Sequence, residues 1–158
     1  RTVVGRPNEE SPTRARIIST ASCTTEALRP LVRLLDELAG IASAHMTTIH
    51  CYTNSQPLVD APRGNFARSR AAAMSMVPTT SSATHLIDEV LPQLKGRISG
   101  AAVRVPAASV SAVDLVASLE TPFSETDPLS ALKEPVEGSP LMGWTDLPPV
   151  SLNLRARP

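Results

Sequence analysis

Apolar residues recur at intervals of three and four over Ala27–Leu38, and this spacing predicts an amphipathic helix that Gly40 ends. Ser22 has the side chain of an N-cap, which places Cys23 in the first turn of the helix. Pro30 lacks a backbone donor, so we expect it to bend the helix or to mark its true start. The pattern therefore predicts a helix with a cysteine at its N-terminus.

The rest of the pattern predicts a sheet with further helices. A run rich in β-branched residues over Ile41–Tyr52 predicts a strand, with His50 near its end. The other predicted elements, in chain order, are an apolar piece at 2–4 with a turn over 5–8, a polar loop over 53–70, a helix opened by 78–82 and continuing to about 94, strands over 98–105 and 110–119, a helix over 127–133 ended by Pro135, and a last strand over 141–154. Helices mixed with mostly non-alternating strands indicate an α+β fold, in which one sheet carries its helices on one face.

Composition and charge exclude several classes of protein. The 158 residues carry 15 basic and 15 acidic side chains, which excludes a broad basic face for nucleic acid and a polybasic membrane anchor. Apolar runs are far shorter than the roughly 20 residues of a membrane span, and no signal peptide is evident. The two cysteines suit neither a disulfide scaffold nor a zinc site. We therefore expect a single cytoplasmic domain over 1–158 that holds no metal.

Cys23 is the strongest candidate for chemistry. In the first turn of a helix, a cysteine meets unpaired backbone N–H groups and the positive end of the helix dipole, which favour the thiolate. A thiolate attacks carbonyl carbons and needs a partner that moves a proton, for which His50 is the obvious choice among three histidines. From the local pattern alone, a core cysteine and a surface histidine explain these residues at least as well.

Arg68, Arg70 and Arg104 form a second candidate cluster. Arg104 lies inside an apolar strand, where a charge is costly unless it is paired. It either forms a salt bridge, reaches solvent, or captures a phosphate or carboxylate with its forked guanidinium. The hydroxyl run over 79–82 either caps a helix or adds donors to a bound anion.

Several short motifs occur in a fixed order and spacing. Ser-Cys-Thr-Thr stands at 22–25, and Thr-Thr-Ile-His-Cys-Tyr-Thr follows at 47–53, which places His50 27 residues after Cys23. Further motifs stand at 68–73, 77–80, 90–96, 103–106 and 110–115. Together they resemble the glyceraldehyde-3-phosphate dehydrogenase family from about residue 2 to residue 147. The matching order and spacing are a strong signal of common descent.

The resemblance implies a mixed, largely antiparallel sheet with helices on one face, as in the catalytic domain of that family. It implies that Cys23 is the nucleophile and His50 its base, and that a hemithioacetal on the sulfur is oxidised to a thioester, which phosphate then cleaves. The substrate-binding residues that it implies are Thr53 and Arg104 at one phosphate site, and Ser22, Thr24, Ser81 and Arg68 at the other.

The chain also departs from the family pattern. No Gly-x-Gly-x-x-Gly turn occurs, so we expect no nucleotide-binding domain in this chain. The closing strands of the family, its last helix and the asparagine that orients nicotinamide have no counterpart, which predicts an open sheet edge. Glu26 replaces an asparagine one turn from Cys23, and Ser81–Ser82 replaces a Thr-Gly pair in the second phosphate site.

These departures lead to three hypotheses. We favour a cofactor-free enzyme that loads an acyl group on Cys23 and passes it on by transfer, hydrolysis or cyclisation, because nothing in the chain holds a nicotinamide. Its substrate would be anionic or carrier-bound. The second hypothesis is half of a split or truncated aldehyde dehydrogenase, with NAD supplied by another chain, and the third is a non-catalytic assembly domain. We expect a homodimer or a partner chain to cover the open sheet edge.

Overall fold

The computed structural model describes residues 16–122 and 127–157. This part of the chain forms three α-helices and four strands, and none of its helices is long and apolar enough to cross a bilayer. The elements are α1 (Cys23–Ala39), β1 (Ile41–Cys51), β2 (Val77–Thr79), α2 (Ala83–Val90), β3 (Ile98–Val105), β4 (Ala112–Leu119) and α3 (Pro128–Glu137). Short 3₁₀ turns occur at Ala67–Ser69, Pro92–Leu94 and Ser151–Leu154.

The strands form one sheet in the order β2-β3-β1-β4. β1 pairs with β3 in parallel, whereas the β1–β4 and β2–β3 pairs are antiparallel. In the parallel register, His50 lies opposite Arg104. The predicted α+β fold with a mixed, largely antiparallel sheet is confirmed.

The core lies between this sheet and the helices α1 and α2. Leu28 and Val32 on the inward side of α1 are almost completely buried, as are Ile41 and Met46 on β1 and Ile87 on α2. These side chains belong to one continuous hydrophobic cluster. Burial of each such aliphatic side chain stabilises the fold by roughly 1.5–3 kcal/mol. The core is therefore aliphatic, as a chain with one Trp, one Tyr and two Phe requires.

The opposite face of the sheet is open to solvent. His45 and Ile49 on β1 and Val116 on β4 are exposed there, while the alternate residues of β1 are buried under the helices. This alternation follows from the period of two in a strand. Helices α1 and α2 therefore lie on one face of the sheet, as predicted.

Gly40 turns the chain from α1 into β1. Its φ is +66°, a left-handed conformation that L-residues with a side chain rarely adopt. A Cβ at this position would lie 2.9 Å from Oε2 of Glu120, and its backbone N–H donates to Asp36 O at 2.9 Å. The predicted end of the first helix at Gly40 is confirmed.

The helix predicted from the opening run at 78–82 to about Leu94 is shorter in the structure, where α2 covers Ala83–Val90. Val77–Thr79 is a strand that pairs antiparallel with β3, and it is absent from the predicted elements. Pro78 is tolerated because β2 is an edge strand. Helix α2 ends at Val90 instead of Leu94, because Pro92 has no N–H to continue the helical ladder and starts a 3₁₀ turn.

Two helices contain a proline that was expected to interrupt them. Pro30 lies inside α1, which begins at Cys23, so it does not mark the start of that helix. Pro135 lies inside α3 and does not end it, because Gly138 N donates to Glu134 O at 3.0 Å and closes the last turn. Each proline removes one backbone donor without breaking the helix.

The last strand predicted over 141–154 is wrong. The segment pairs with none of the described strands and has no regular secondary structure before the 3₁₀ turn Ser151–Leu154. Pro148 and Pro149 each lack the N–H that a strand donates to a ladder, which is the physical reason. The predicted strand over 110–119 begins at Ala112, and the elements expected at 2–8 lie outside the described residues.

Candidate active site

The N-terminus of α1 presents Cys23. Ser22 is the N-cap in an extended conformation, and its Oγ accepts a hydrogen bond from Thr25 N at 3.2 Å, as the sequence predicts. This hydrogen bond satisfies one of the backbone N–H groups that have no partner within the helix. Cys23 is exposed beside the remaining N–H groups of the first turn. Ala21, directly before the cap, has a φ of +66°. Such left-handed conformations in non-glycine residues cluster at functional sites.

His50 approaches Cys23 from the carboxyl end of β1. Its Nε2 lies 3.3 Å from Cys23 Sγ. Its Nδ1 lies 2.7 Å from the carbonyl oxygen of Cys51, a distance at which Nδ1–H donates. That bond places the proton of the neutral ring on Nδ1 and leaves Nε2 free to accept the thiol proton. The pair has the geometry of a nucleophile and its base.

The loop between β3 and β4 completes the wall beside this pair. Ser111 Oγ accepts from Cys51 N at 3.1 Å and lies 3.4 Å from Cys51 Sγ. Val110, next to it, has a φ of +65°, which is strained for a β-branched residue. Cys51 is half-buried and free, and it lines a cavity together with Cys23 and His50.

A polar cavity of about 250 Å³ opens at Cys23 and His50. None of the described residues that line it carries a carboxylate, and Arg104 supplies a positive charge. The lining residues are Ser22, Cys23, Thr24, Thr48, His50, Thr53, Thr79, Thr80, Ser81, Ser82, Ala102 and Arg104. Hydroxyl groups with one guanidinium suit an anionic group.

Seven of the eight site residues predicted from the sequence line this cavity, and Arg68 does not. Arg68 lines an adjoining cavity of about 360 Å³ with Asn65, and its Nη2 donates to Thr79 Oγ1 at 2.7 Å. Thr79 and Thr80 belong to both cavities. The structure therefore links Arg68 to the polar cavity through a threonine and separates it from Arg104.

A third cavity, of about 290 Å³, shares Cys23 and His50 with the polar cavity. Its wall is mainly apolar, with Ala27, Val110 and Val113 facing Cys23 and His50. Thr48 lines both cavities, and its buried Oγ1 has no hydrogen-bond partner in the described structure. Cys23 and His50 thus line both a polar and a mainly apolar cavity.

Thr48 was not among the site residues predicted from the sequence, and Thr79 and Thr80 were considered only as part of a hydroxyl run that either caps a helix or binds an anion. Thr48 precedes His50 by two positions and therefore shares its face of β1, which is a signal the sequence contains. Thr79 and Thr80 belong to the hydroxyl run at 79–82, but only the pairing of β2 with β3 brings them to the cavity.

Three other polar residues lie apart from this site. His45 Nδ1 is 2.8 Å from Ser99 Oγ, and both residues are exposed on the open face of the sheet. His85 is an exposed residue of α2. Glu26, one turn from Cys23, is exposed and lines neither cavity. No group of three or more metal-ligating side chains occurs in the described ranges.

Comparison with known proteins decides the family. The family described as "Glyceraldehyde 3-phosphate dehydrogenase, C-terminal domain" matches residues 22–158. The chain belongs to this family. The match includes Cys23, His50 and Arg104, so the resemblance seen in the sequence is confirmed.

Curated relatives are similar over nearly the whole chain. A glyceraldehyde-3-phosphate dehydrogenase of Priestia megaterium is 42% identical over 95% of this chain and 46% of its own length. One from Xanthobacter flavus is 40% identical over 99% of this chain and 48% of its own length. A chloroplastic glyceraldehyde-3-phosphate dehydrogenase A of Scenedesmus vacuolatus is 45% identical over 88% of this chain. The chain spans about half the length of the curated relatives that it matches.

These relatives overturn the favoured hypothesis of cofactor-free acyl transfer, hydrolysis or cyclisation. They are dehydrogenases, and the similarity covers the segments that contain Cys23 and His50. The hypothesis was based on the missing nucleotide-binding half. Because the chain spans only about half of its relatives, that absence says nothing about the reaction.

Proposed function

We propose that this chain supplies the thiol-based catalytic half of a dehydrogenase that oxidises a phosphorylated aldehyde resembling glyceraldehyde 3-phosphate. The observation that carries the proposal is the 3.3 Å separation between Cys23 Sγ and His50 Nε2, at the mouth of a polar cavity. The dehydrogenase relatives support the reaction class, and the positive charge of Arg104 supports an anionic substrate.

Cys23 and His50 would perform the covalent steps. His50 Nε2 takes the proton of the thiol, and the sulfur attacks the aldehyde carbon. The C–S bond forms as the carbonyl π bond opens, and the oxygen takes the proton from His50, which gives a hemithioacetal. The hydroxyl then returns its proton to His50 as hydride leaves the same carbon, for which NAD would be the acceptor, and the carbonyl forms again as a thioester on Cys23. Attack of phosphate on this thioester breaks the C–S bond, which gives an acyl phosphate and releases the Cys23 thiolate.

The described residues do not form a dinucleotide cradle. The sheet is mixed instead of doubly wound, and the sequence contains no Gly-x-Gly-x-x-Gly turn. NAD would therefore be held by residues outside this chain or outside its described part. We assign no hydride-transfer contact to the residues of this chain.

Two sets of polar side chains would hold the two phosphate groups. Thr53 and Arg104 would bind the phosphate of the substrate, and Ser22, Thr24 and Ser81 would bind the attacking phosphate. All five line the polar cavity together with Cys23. Arg68 would act on the second phosphate through Thr79, to which it donates a hydrogen bond.

The experiment that tests this proposal supplies the half of the relatives that this chain does not span. We would fuse it behind the N-terminal half of the Priestia megaterium relative and measure formation of NADH from glyceraldehyde 3-phosphate and inorganic phosphate. We expect turnover that Cys23→Ser abolishes and that His50→Gln reduces by about 10²-fold or more, the usual contribution of a general base. A folded fusion that binds NAD but forms no NADH would contradict the proposal.

A further inference from the structure

We propose that Arg104 is a positioning residue for His50, in addition to its proposed contact with an anionic group. This inference rests on the proposed function, which makes His50 the base of Cys23. Arg104 and His50 are opposite residues on the neighbouring parallel strands β3 and β1, so their side chains emerge on the same face of the sheet. The contact is therefore built into the strand register.

Three polar atoms form a nearly equilateral triangle behind the imidazole. Arg104 Nη1 donates to the carbonyl oxygen of Cys51 at 2.9 Å. The same Nη1 lies 3.0 Å from His50 Nδ1. Nδ1 in turn lies 2.7 Å from the same carbonyl oxygen. One backbone oxygen thus joins the arginine and the histidine.

The placement of protons follows from this triangle. A carbonyl oxygen has two lone pairs, so it accepts one hydrogen bond from Nδ1–H and one from Nη1–H. If Nδ1 carried no proton, its lone pair could accept from Nη1 at 3.0 Å but would also face the carbonyl oxygen at the shorter distance of 2.7 Å, which is repulsive. The shared oxygen therefore keeps the proton of the neutral ring on Nδ1 and turns Nε2 of His50 toward Cys23.

Few other groups hold the ring. The titratable residues that line the two cavities around it are Cys23 from α1, Cys51 on β1 and Arg104 from β3. The β3–β4 loop and β4 contribute only the uncharged Val110, Ser111 and Val113. Among the described residues that line these two cavities, Arg104 is thus the one side chain beside Nδ1 of His50 that combines a charge with a fixed fork of donors.

The experiment measures alkylation of Cys23 by iodoacetamide as a function of pH, followed by peptide mass spectrometry to separate Cys23 from Cys51. Iodoacetamide carries no charge, so binding of an anion does not contribute to the rate. We expect Arg104→Gln and Arg104→Lys each to react about threefold to tenfold more slowly near neutral pH, as for the loss of one hydrogen bond. Arg33→Gln, which removes an exposed guanidinium from the middle of α1, should react like the parent.

The lysine variant separates orientation from charge. It keeps the positive charge but presents a single nitrogen on a flexible stem, and so it cannot reproduce the fixed geometry of Nη1. If Arg104→Lys reacts like the parent while Arg104→Gln is slow, charge alone acts and the proposal is overturned. Parental rates in both variants overturn it as well.

Two further measurements keep this result distinct from the proposed function. His50→Gln should slow alkylation of Cys23. An unchanged rate in this variant would contradict the proposed role of His50 as the base of Cys23, independently of the results for the Arg104 variants. Nitrogen-15 spectra of the imidazole in the unmodified chain, assigned with His50→Gln, should show the neutral ring of His50 with its proton on Nδ1. A proton on Nε2 would overturn the role of the shared oxygen without the need for any arginine variant.

Discussion

His50 Nε2 lies 3.3 Å from Cys23 Sγ, although the two residues are 27 positions apart and belong to different elements. Helix α1 and strand β1 are joined by one glycine and run back on each other, so the start of the helix meets the end of the strand. From Cys23 to Ala39 the helix rises about 24 Å. From Ile41 to His50 the strand rises about 30 Å. The near match of these lengths brings nucleophile and base to one edge of the sheet.

Phosphate affinity should depend on Arg104 more than on Arg68. Arg104 lines the polar cavity itself, whereas Arg68 lies in the adjoining cavity and already donates to Thr79. Because a hydrogen bond to a charged group contributes about 1.5–3 kcal/mol, Arg104→Gln should weaken binding of inorganic phosphate about tenfold or more. Arg68→Gln should weaken it less than about threefold. Isothermal titration calorimetry measures both, and equal losses would place Arg68 in the anion site.

Ser22→Ala should destabilise the fold through the lost cap of α1. Ser22 Oγ accepts from Thr25 N, and no methyl group can replace that bond. We expect the free energy of unfolding to fall by about 0.5–2 kcal/mol in urea denaturation. Ser22→Thr retains an oxygen at the same position and serves as the control. Equal losses in both variants would mean that the packing of residue 22, and not its cap, stabilises the helix.

Arg29→Met should stabilise the fold. Arg29 is only 3% exposed, and its Nε has no hydrogen-bond partner among the described residues. Burial, with a smaller contribution from Arg33, holds its pKa below the ordinary arginine value. The guanidinium charge is therefore less stable in the folded state than in the unfolded chain, where water solvates it. We expect the free energy of unfolding to rise by about 1 kcal/mol or more.

Thermal and urea denaturation would measure this gain. Arg33→Met is the control, because Arg33 is more exposed and forms a salt bridge with Glu37 at 2.6 Å. It should change the stability by less than about 0.5 kcal/mol, as for most surface sites. A loss of stability in Arg29→Met would mean that the guanidinium contributes a favourable interaction in the native state.

Ionised Asp60 should hold the loop between β1 and β2. Its Oδ1 accepts from Ala71 N at 2.7 Å, and Arg70 lies 3.1 Å from its Oδ2. The backbone hydrogen bond from Ala71, and then the charge of Arg70, hold its pKa below the ordinary 3.8. Since the folded state binds this proton more weakly, the contribution to stability is present above the unfolded pKa and is lost as the pH falls through the folded value.

The amide proton of Ala71 reports this titration. In NMR spectra its chemical shift should move with a midpoint below 3.8, and this transition should be absent in Asp60→Asn. Arg70→Gln should raise the midpoint toward 3.8 without removing the transition, because the backbone donor remains. A midpoint at or above 3.8 in the parent would refute the hydrogen bond as the cause.

The outer edge of β4 should be covered in solution. β4 is the last strand of the described sheet, and Val116 near its middle is 67% exposed. Unpaired edges bind further strands, so we expect a homodimer, or a complex with a partner chain, to cover this one. Light scattering should give twice the mass of the chain, and Val116→Lys should reduce it to the monomer. A monomeric parent would leave a different partner chain as the occupant of the edge.

Sequence periodicity was sufficient to predict an element whose bounds depend on contacts within the same short segment. The three- and four-residue spacing fixed α1, its cap at Ser22 and its end at Gly40, because these depend on contacts within a few residues. Motif order likewise pointed to Cys23 and His50, and the family match confirms the ancestry. The short strand β2 could not be predicted, because three residues with a proline become a strand only by pairing with β3.

The sequence by itself determined which side chains can react and which local elements hold them, since residue chemistry, capping and helical period are properties of short segments. The tertiary structure decided which of those side chains meet. The parallel register of β1 and β3 sets Arg104 against His50, and the pairing of β2 with β3 brings Thr79 to the cavity while Arg68 stays beside it. Such contacts depend on strand pairing between distant segments. The alternation of apolar residues decides which face of a strand is buried, but a slip of two residues keeps that face, so the pattern alone does not decide which residues lie opposite each other.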